Sequence, residues 1–215
     1  GVRSQFSKAF PNVMTSQEVL YNLIDKNKIK EKSEQLHIEK NKLTLCSIGR
    51  FTQPKGYIRL IHIVNRLIHE DNLDFELWLI GEGEQKEDIK NLIKKYSLES
   101  IISLKGFCRN PYPYLKAADI FISSSYSEGY PLVICEAISL GKPVVATMTS
   151  GTNEILENGT YGLSVEQDDE SIYQGFKRMI TDHSLREHYS GKALVRSEIF
   201  DIDQSMRLIY NVLTT

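Results

Sequence analysis

Three cysteines in 215 residues, Cys46, Cys108 and Cys135, are too few and too far apart for a disulfide framework or a metal-ligand cluster. Each lies in or beside a predicted buried segment, which points to reduced thiols and a cytoplasmic setting. Long apolar runs are missing as well. No stretch approaches the roughly 18 consecutive apolar residues of a spanning helix, and no signal peptide is recognised at the start of the sequence. Neither sign of charge dominates: 26 Lys and Arg against 28 Asp and Glu leave a formal charge of −2. That balance argues against nucleic acid as the main partner. The histidines, His37, His62, His69, His183 and His188, share no metal spacing, so they read as structural and no metal site is expected. Internal repeats and low-complexity tracts are also absent.

What the chain does contain is alternation. Short β-type runs are predicted at 42–48, 75–80, 101–104, around Ile120, at 143–146 and at 162–165. Helical spacing is read over 26–35, 57–70, 85–96, 111–117, 132–140, 169–181, 185–200 and 204–213. Strand and helix following each other in this way is the pattern of an α/β fold, a parallel sheet with helices on both faces. Ligands of such sheets bind in the crevice beyond the carboxyl ends of the strands. Segments 49–56, 81–85, 106–110, 123–131 and 147–154 all belong to that rim.

The stretch from Asp119 to Gly141 is the one around which the rest is arranged. An apolar strand dissolves into Ser123-Ser124-Ser125, Gly129 permits a tight turn, and Pro131 suits the first helical position. The helix from Leu132 is apolar almost all round yet carries Glu136, and a buried carboxylate is costly without hydrogen bonds. Glu128 lies in the loop before that helix, and Glu136 is about 7–8 Å along its axis from Pro131. Between them is a helix N-terminus, which favours phosphate. A nucleotide-sugar, with hydroxyls at both ends and a pyrophosphate between, fits this layout. In the loop after the first strand, Arg50 could offer a planar fork and Lys55 a point charge to the two phosphates. Gly81-Glu82-Gly83-Glu84 lacks the third glycine of a dinucleotide fingerprint, and the 49–56 loop lacks the Gly-Lys-Ser/Thr ending of a Walker A loop.

The segments SEGYPLVICEAISLGKPVVAT, with Glu128 and Glu136 eight apart, and GRFTQPKG, with Gly49, Arg50 and Lys55, resemble the donor site of family 4 retaining glycosyltransferases of the GT-B superfamily. The resemblance covers roughly Val19 to Leu213. It implies the Rossmann-like C-terminal half of a GT-B enzyme: a linker remnant at 1–18, a nucleotide-sugar-binding domain at 19–199 and a C-terminal helix at 200–215. In the family, Arg50 and Lys55 would hold the diphosphate, and Glu128 would meet the sugar hydroxyls. Gly81 and Gly83 would bring backbone close to the nucleotide, and Phe107 and Cys108 would border the base. Gly129, Tyr130 and Pro131 would contact sugar and phosphates, Leu132 would pack on the ribose or base, and Glu136 would accept from the ribose diol.

The function this implies is hexosyl transfer from a UDP- or GDP-sugar to a glycan or lipid-linked acceptor in bacterial cell-surface polysaccharide synthesis. The nucleotide-sugar would be a substrate, with no cofactor and no metal required. The acceptor would be met through an N-terminal domain without which this half would be inactive, and the whole enzyme would sit peripherally at the inner face of the cell membrane. Two other readings stay open: a nucleotide-sugar binding module without turnover, and a GT-B-fold epimerase.

Overall fold

The structure, a computed structural model, describes residues 24–200 throughout and, outside that span, residues 6, 8–11, 202, 206 and 210. The readings of 1–18 as a linker, of extended pieces at 13–22 and of a helix at 204–213 fall largely or wholly outside the described residues.

Six strands form one all-parallel sheet: β1 (Thr44–Ile48), β2 (Glu76–Ile80), β3 (Ile102–Gly106), β4 (Ile120–Ser123), β5 (Val144–Thr147) and β6 (Leu163–Val165), in the order β3-β2-β1-β4-β5-β6. Between residues 24 and 200, eight α-helices connect and flank them: α1 (Lys26–Ser33), α2 (Tyr57–His69), α3 (Lys86–Lys95), α4 (Tyr112–Ala117), α5 (Leu132–Ser139), α6 (Ser150–Leu156), α7 (Asp169–Thr181) and α8 (His183–Ser197). The strand runs are apolar on consecutive residues because both faces are covered, and successive side chains enter opposite cores. Leu45, Ile120, Ile122 and Val145 pack under α2, α3 and α7. Phe121, Val144 and Ala146 point the other way, into a core shared with α1, α4, α5, α6 and α8.

Predicted helices and observed ones agree to within a few residues, with three differences. Asp25 caps α1, its Oδ1 accepting from Lys28 N at 2.8 Å, but the helix ends at Ser33 rather than at 35. Pro131 is the N-cap of α5, in extended backbone, rather than its first turn. The stretch 147–154, read as rim loop, holds the short helix α6, capped by Thr149, whose Oγ1 accepts from Thr152 N at 3.2 Å.

The sheet order reverses between β2 and β4, which flank β1 on opposite sides. The loops after β1 and β4 therefore leave the same rim next to each other while their helices go to opposite faces. A crevice at that switch point is where an open α/β sheet binds its ligand.

Candidate active site

The loop after β1 is shaped by Phe51, fully buried and edge-on to Tyr57 with ring centroids 4.8 Å apart. Neighbouring strand ends are laced to it. Gly49 N donates to Ile80 O at 3.0 Å, Phe51 N to Glu82 O at 2.8 Å, and Gln85 N to Phe51 O at 3.0 Å. This gives Gly81 and Gly83 a specific role: a Cβ on Gly81 would collide with the carbonyl of Gly49, and one on Gly83 with the backbone of Phe51. The close approach that these glycines allow is loop against loop. Gly83→Ala is expected to cost about 1–3 kcal/mol, the usual range for overpacking, measured as a shift of the denaturant midpoint. An unchanged midpoint would mean that the turn relaxes freely.

A 3₁₀ turn over Gln53–Lys55 ends at Gly56, whose φ of 68° is left-handed and whose missing Cβ makes room for the carbonyl of Ser124. The β1 and β4 loops are joined there. Ser124 Oγ donates to Gly56 O at 3.0 Å and Tyr126 N to Pro54 O at 2.8 Å. Lys55 Nζ consequently reaches Glu128 Oε1 at 2.5 Å, and Ser125 Oγ donates to the same oxygen at 2.7 Å. Arg50 sits apart, exposed on the rim, its guanidinium with no hydrogen bond or ion pair among the described residues. The two cations expected to act together are thus one paired lysine and one free guanidinium.

Beneath this pair lies a residue that sequence reasoning missed. Arg59, 3% exposed, donates from Nε and Nη2 to Ser124 O at 2.7 and 2.5 Å, from Nη1 to Gln167 O at 2.9 Å and from Nη2 to Gln167 Oε1 at 3.0 Å. Its guanidinium also stacks 3.7 Å from the Tyr126 ring centroid. Gln167 Nε2 donates in turn to Ser125 O at 3.2 Å and Met148 O at 2.7 Å, and Thr147 Oγ1 donates to Ser125 O at 2.5 Å. The backbone that carries Glu128 is pinned from below at consecutive carbonyls. The available signal was a charged residue beside Leu60 and Ile61 in the apolar stripe of α2.

The turn at Gly129 needs no glycine on its own account. It lies outside the left-handed region, and a Cβ there would meet open space. The constraint falls on Gly151 of α6, where a Cβ would collide with Gly129 O. Ser150 Oγ and Gly151 N both donate to Glu128 O at 3.3 Å. Tyr130 is partly buried and Pro131 buried, whereas Leu132 is 45% exposed at the start of α5.

Glu136 faces a cavity of about 280 Å³ between α1 and α5, lined also by Ile24, Lys28, Lys32, Tyr112 and Leu132. Tyr112 Oη donates to its Oε1 at 3.0 Å. Among the described residues no lysine or arginine pairs with it, so it is not half of a buried salt bridge. Burial pushes the Glu136 carboxyl above the ordinary carboxylate range, and the Tyr112 hydroxyl opposes part of that rise. Because the folded-state pKa is raised, ionised Glu136 subtracts from stability, and the loss vanishes as pH falls through that pKa. Glu136→Gln is expected to melt above wild type near neutral pH, with the gap narrowing on acidification. A gap that does not change with pH would contradict this.

Phe107 is 78% exposed beyond β3, and Cys108 Sγ donates to Asn110 O at 3.1 Å. Both border the rim without touching the Lys55–Glu128 pair. Glu82 is occupied by Lys86 at 2.6 Å. A larger cavity, about 620 Å³, opens between 33–41 and α4, and none of the predicted site residues lines it. Among the described residues no three His, Cys, Asp or Glu converge as a metal site. The chain does contain one Asp-x-Asp, Asp201-Ile202-Asp203, whose aspartates lie outside the described residues. No helix among the described residues is long and apolar enough to cross a membrane.

Comparison with known proteins bears directly on this rim. Residues 28–195 match the family described as glycosyl transferases group 1. The chain is 37% identical over 186 residues to the N-acetylgalactosamine-N,N'-diacetylbacillosaminyl-diphospho-undecaprenol 4-alpha-N-acetylgalactosaminyltransferase of Campylobacter jejuni, covering 86% of this chain and 50% of that one. It is 33% identical over 143 residues to the lipopolysaccharide core biosynthesis glycosyltransferase LpsE of Rhizobium meliloti, covering 66% and 41%. The chain thus spans about half the length of the curated relatives it matches. Among solved structures, HepE of Anabaena in complex with UDP and glucose superposes with a TM-score of 0.77 at 22% identity, covering 97% of this chain and 60% of that one. The sucrose-phosphate synthase of Thermosynechococcus elongatus gives 0.79 at 20%, covering 99% and 56%. At those identities the likeness is one of fold, a parallel sheet with helices on both faces. The family match spans the whole sheet and the whole of the switch-point rim, and on it the chain belongs to the group 1 glycosyltransferases.

Proposed function

We propose that this chain is the donor-binding, C-terminal half of a retaining family 4 glycosyltransferase that takes its sugar from a UDP- or GDP-sugar. The acceptor is a glycan or lipid-linked sugar in bacterial cell-surface polysaccharide synthesis. The observation that carries the reading is the switch-point rim, where a cation held against Glu128 and a second carboxylate in a cavity flank the α5 N-terminus. The diphosphate would lie along the 49–56 loop, with Lys55 exchanging part of its contact with Glu128 for phosphate oxygen, and with Arg50 closing from the rim. The sugar hydroxyls would meet Glu128 and the backbone at 129–131, and the ribose Glu136.

Cations and helix dipole aimed at the departing diphosphate stabilise developing charge without a metal. The leaving group then departs on the face from which the acceptor attacks, and the anomeric configuration is kept. UDP is favoured over GDP by the HepE complexes, and a lipid-diphosphate-linked acceptor by the C. jejuni relative, whose name specifies an α linkage. That linkage is the outcome of retention from an α-linked donor.

The test uses the full-length enzyme with UDP-glucose, UDP-N-acetylgalactosamine, UDP-N-acetylglucosamine and GDP-mannose, following nucleotide release and the proton NMR signal of the new anomeric centre. Release from one donor with an α product is expected. A β product would overturn the retaining mechanism, and a donor converted to its epimer without transfer would favour the epimerase.

A further inference from the structure

Tyr112 is the first residue of α4 and the only side chain among the described residues that hydrogen-bonds the Glu136 carboxylate. It is itself held in place from behind. Asn110 Oδ1 accepts from Tyr112 N at 3.4 Å, while Asn110 Nδ2 donates to Lys32 O at 2.9 Å and to Gln35 Oε1 at 3.0 Å. The backbone that carries the phenol is therefore tied to the end of α1, across the same cavity that Glu136 faces. The hydroxyl occupies Oε1 as a donor and leaves Oε2 unbonded among the described residues. A carboxylate is acceptor-only, so the remaining oxygen is ready for a hydroxyl donor entering the cavity.

We propose that Tyr112 is a positioning residue for nucleotide ribose, fixing the Glu136 carboxylate so that Oε2 accepts from the ribose diol. This rests on the donor-domain reading above. Without the phenol, the carboxylate has no partner holding it in one rotamer, and it sits in a partly buried place where its charged form is disfavoured. Both effects remove the interaction with the diol while leaving contacts to the base and phosphates in place. The signature is a loss of discrimination between hydroxylated and dideoxy nucleotides, rather than a uniform loss of affinity.

The experiment is calorimetric titration of the protein, and of Tyr112→Phe, Glu136→Ala and the double variant, with UDP, GDP and their 2′,3′-dideoxy forms. Phenylalanine keeps the ring and removes only the hydroxyl, and melting curves show that each variant is folded. Wild type is expected to prefer the ribonucleotide by about tenfold or more, since unpaired polar groups left in a site are costly. Tyr112→Phe should reduce that preference to within about threefold, and in the Glu136→Ala background it should have no further effect on it. Equal weakening of both nucleotide forms, or additive effects in the double variant, would make Tyr112 merely structural and overturn the inference while the donor site stands. Failure of wild type to bind either nucleotide would overturn the donor site and this inference together.

Discussion

Arg59→Met is expected to lower the stability of the fold by about 3–5 kcal/mol, the scale for removing a buried charged hydrogen-bonding group and orphaning its acceptors. Methionine fills much of the volume but leaves the carbonyls of Ser124 and Gln167 without their donor. Arg59→Lys should recover less than half of the loss. One ammonium cannot reproduce the fork that spans two segments at once, and it stacks less well on Tyr126. Because the pinned backbone runs directly into Glu128, nucleotide-sugar binding should weaken in variants that remain folded. Denaturant unfolding with the slope compared to wild type measures this. A change below about 1 kcal/mol would mean that the loops after β4 and β6 are fixed by something other than the guanidinium.

Lys55→Met carries the second large effect, on binding. A charge-assisted hydrogen bond contributes on the order of 1.5–3 kcal/mol, which corresponds to roughly a 10- to 100-fold weaker diphosphate complex. The variant also leaves Glu128, whose side chain is 11% exposed, with Ser125 as its remaining hydrogen-bond partner, so a loss of stability should accompany it. Glu128→Gln in the same background should restore stability but not affinity, separating the two effects. Arg50→Met is expected to act more weakly, by a few-fold, and to lose its effect as salt is raised, because an exposed charge is screened. Equal effects of the two substitutions would indicate that Lys55 stays locked on Glu128 when the diphosphate binds.

The sheet was legible because a strand buried on both faces needs an unbroken apolar run, and nothing else in 42–48 or 75–80 competes with that reading. The rim segments were legible as strand ends, but the strand order, and with it the switch point at β1, was not. Helix α6 escaped because it is seven residues long and rich in Ser, Thr and Gly, so that its cap and its first turn both read as loop. Glycines were recognised as constraints, but the protein neighbours that enforce them were not readable: Gly81 and Gly83 pack against the β1 loop, and the strict requirement beside Gly129 belongs to Gly151. Periodicity marked Glu136 as a charge in an apolar helix, but it could not supply the partner. Tyr112 lies 24 residues away, and the packing of α1 against both α4 and α5 brings it to the carboxylate. Arg59 was hidden for the same reason, since its acceptors lie 65 and 108 residues further along.

On the proposed function, the rim between β1 and β4 binds a nucleoside diphosphate. The most direct measurement is calorimetric titration of the protein with UDP, GDP and ADP, repeated on Glu136→Ala and Lys55→Ala. One nucleotide, with UDP favoured, should bind in preference to the others, and both substitutions should weaken it. Absence of binding by all three at millimolar concentration, or binding that neither substitution changes, would contradict the account.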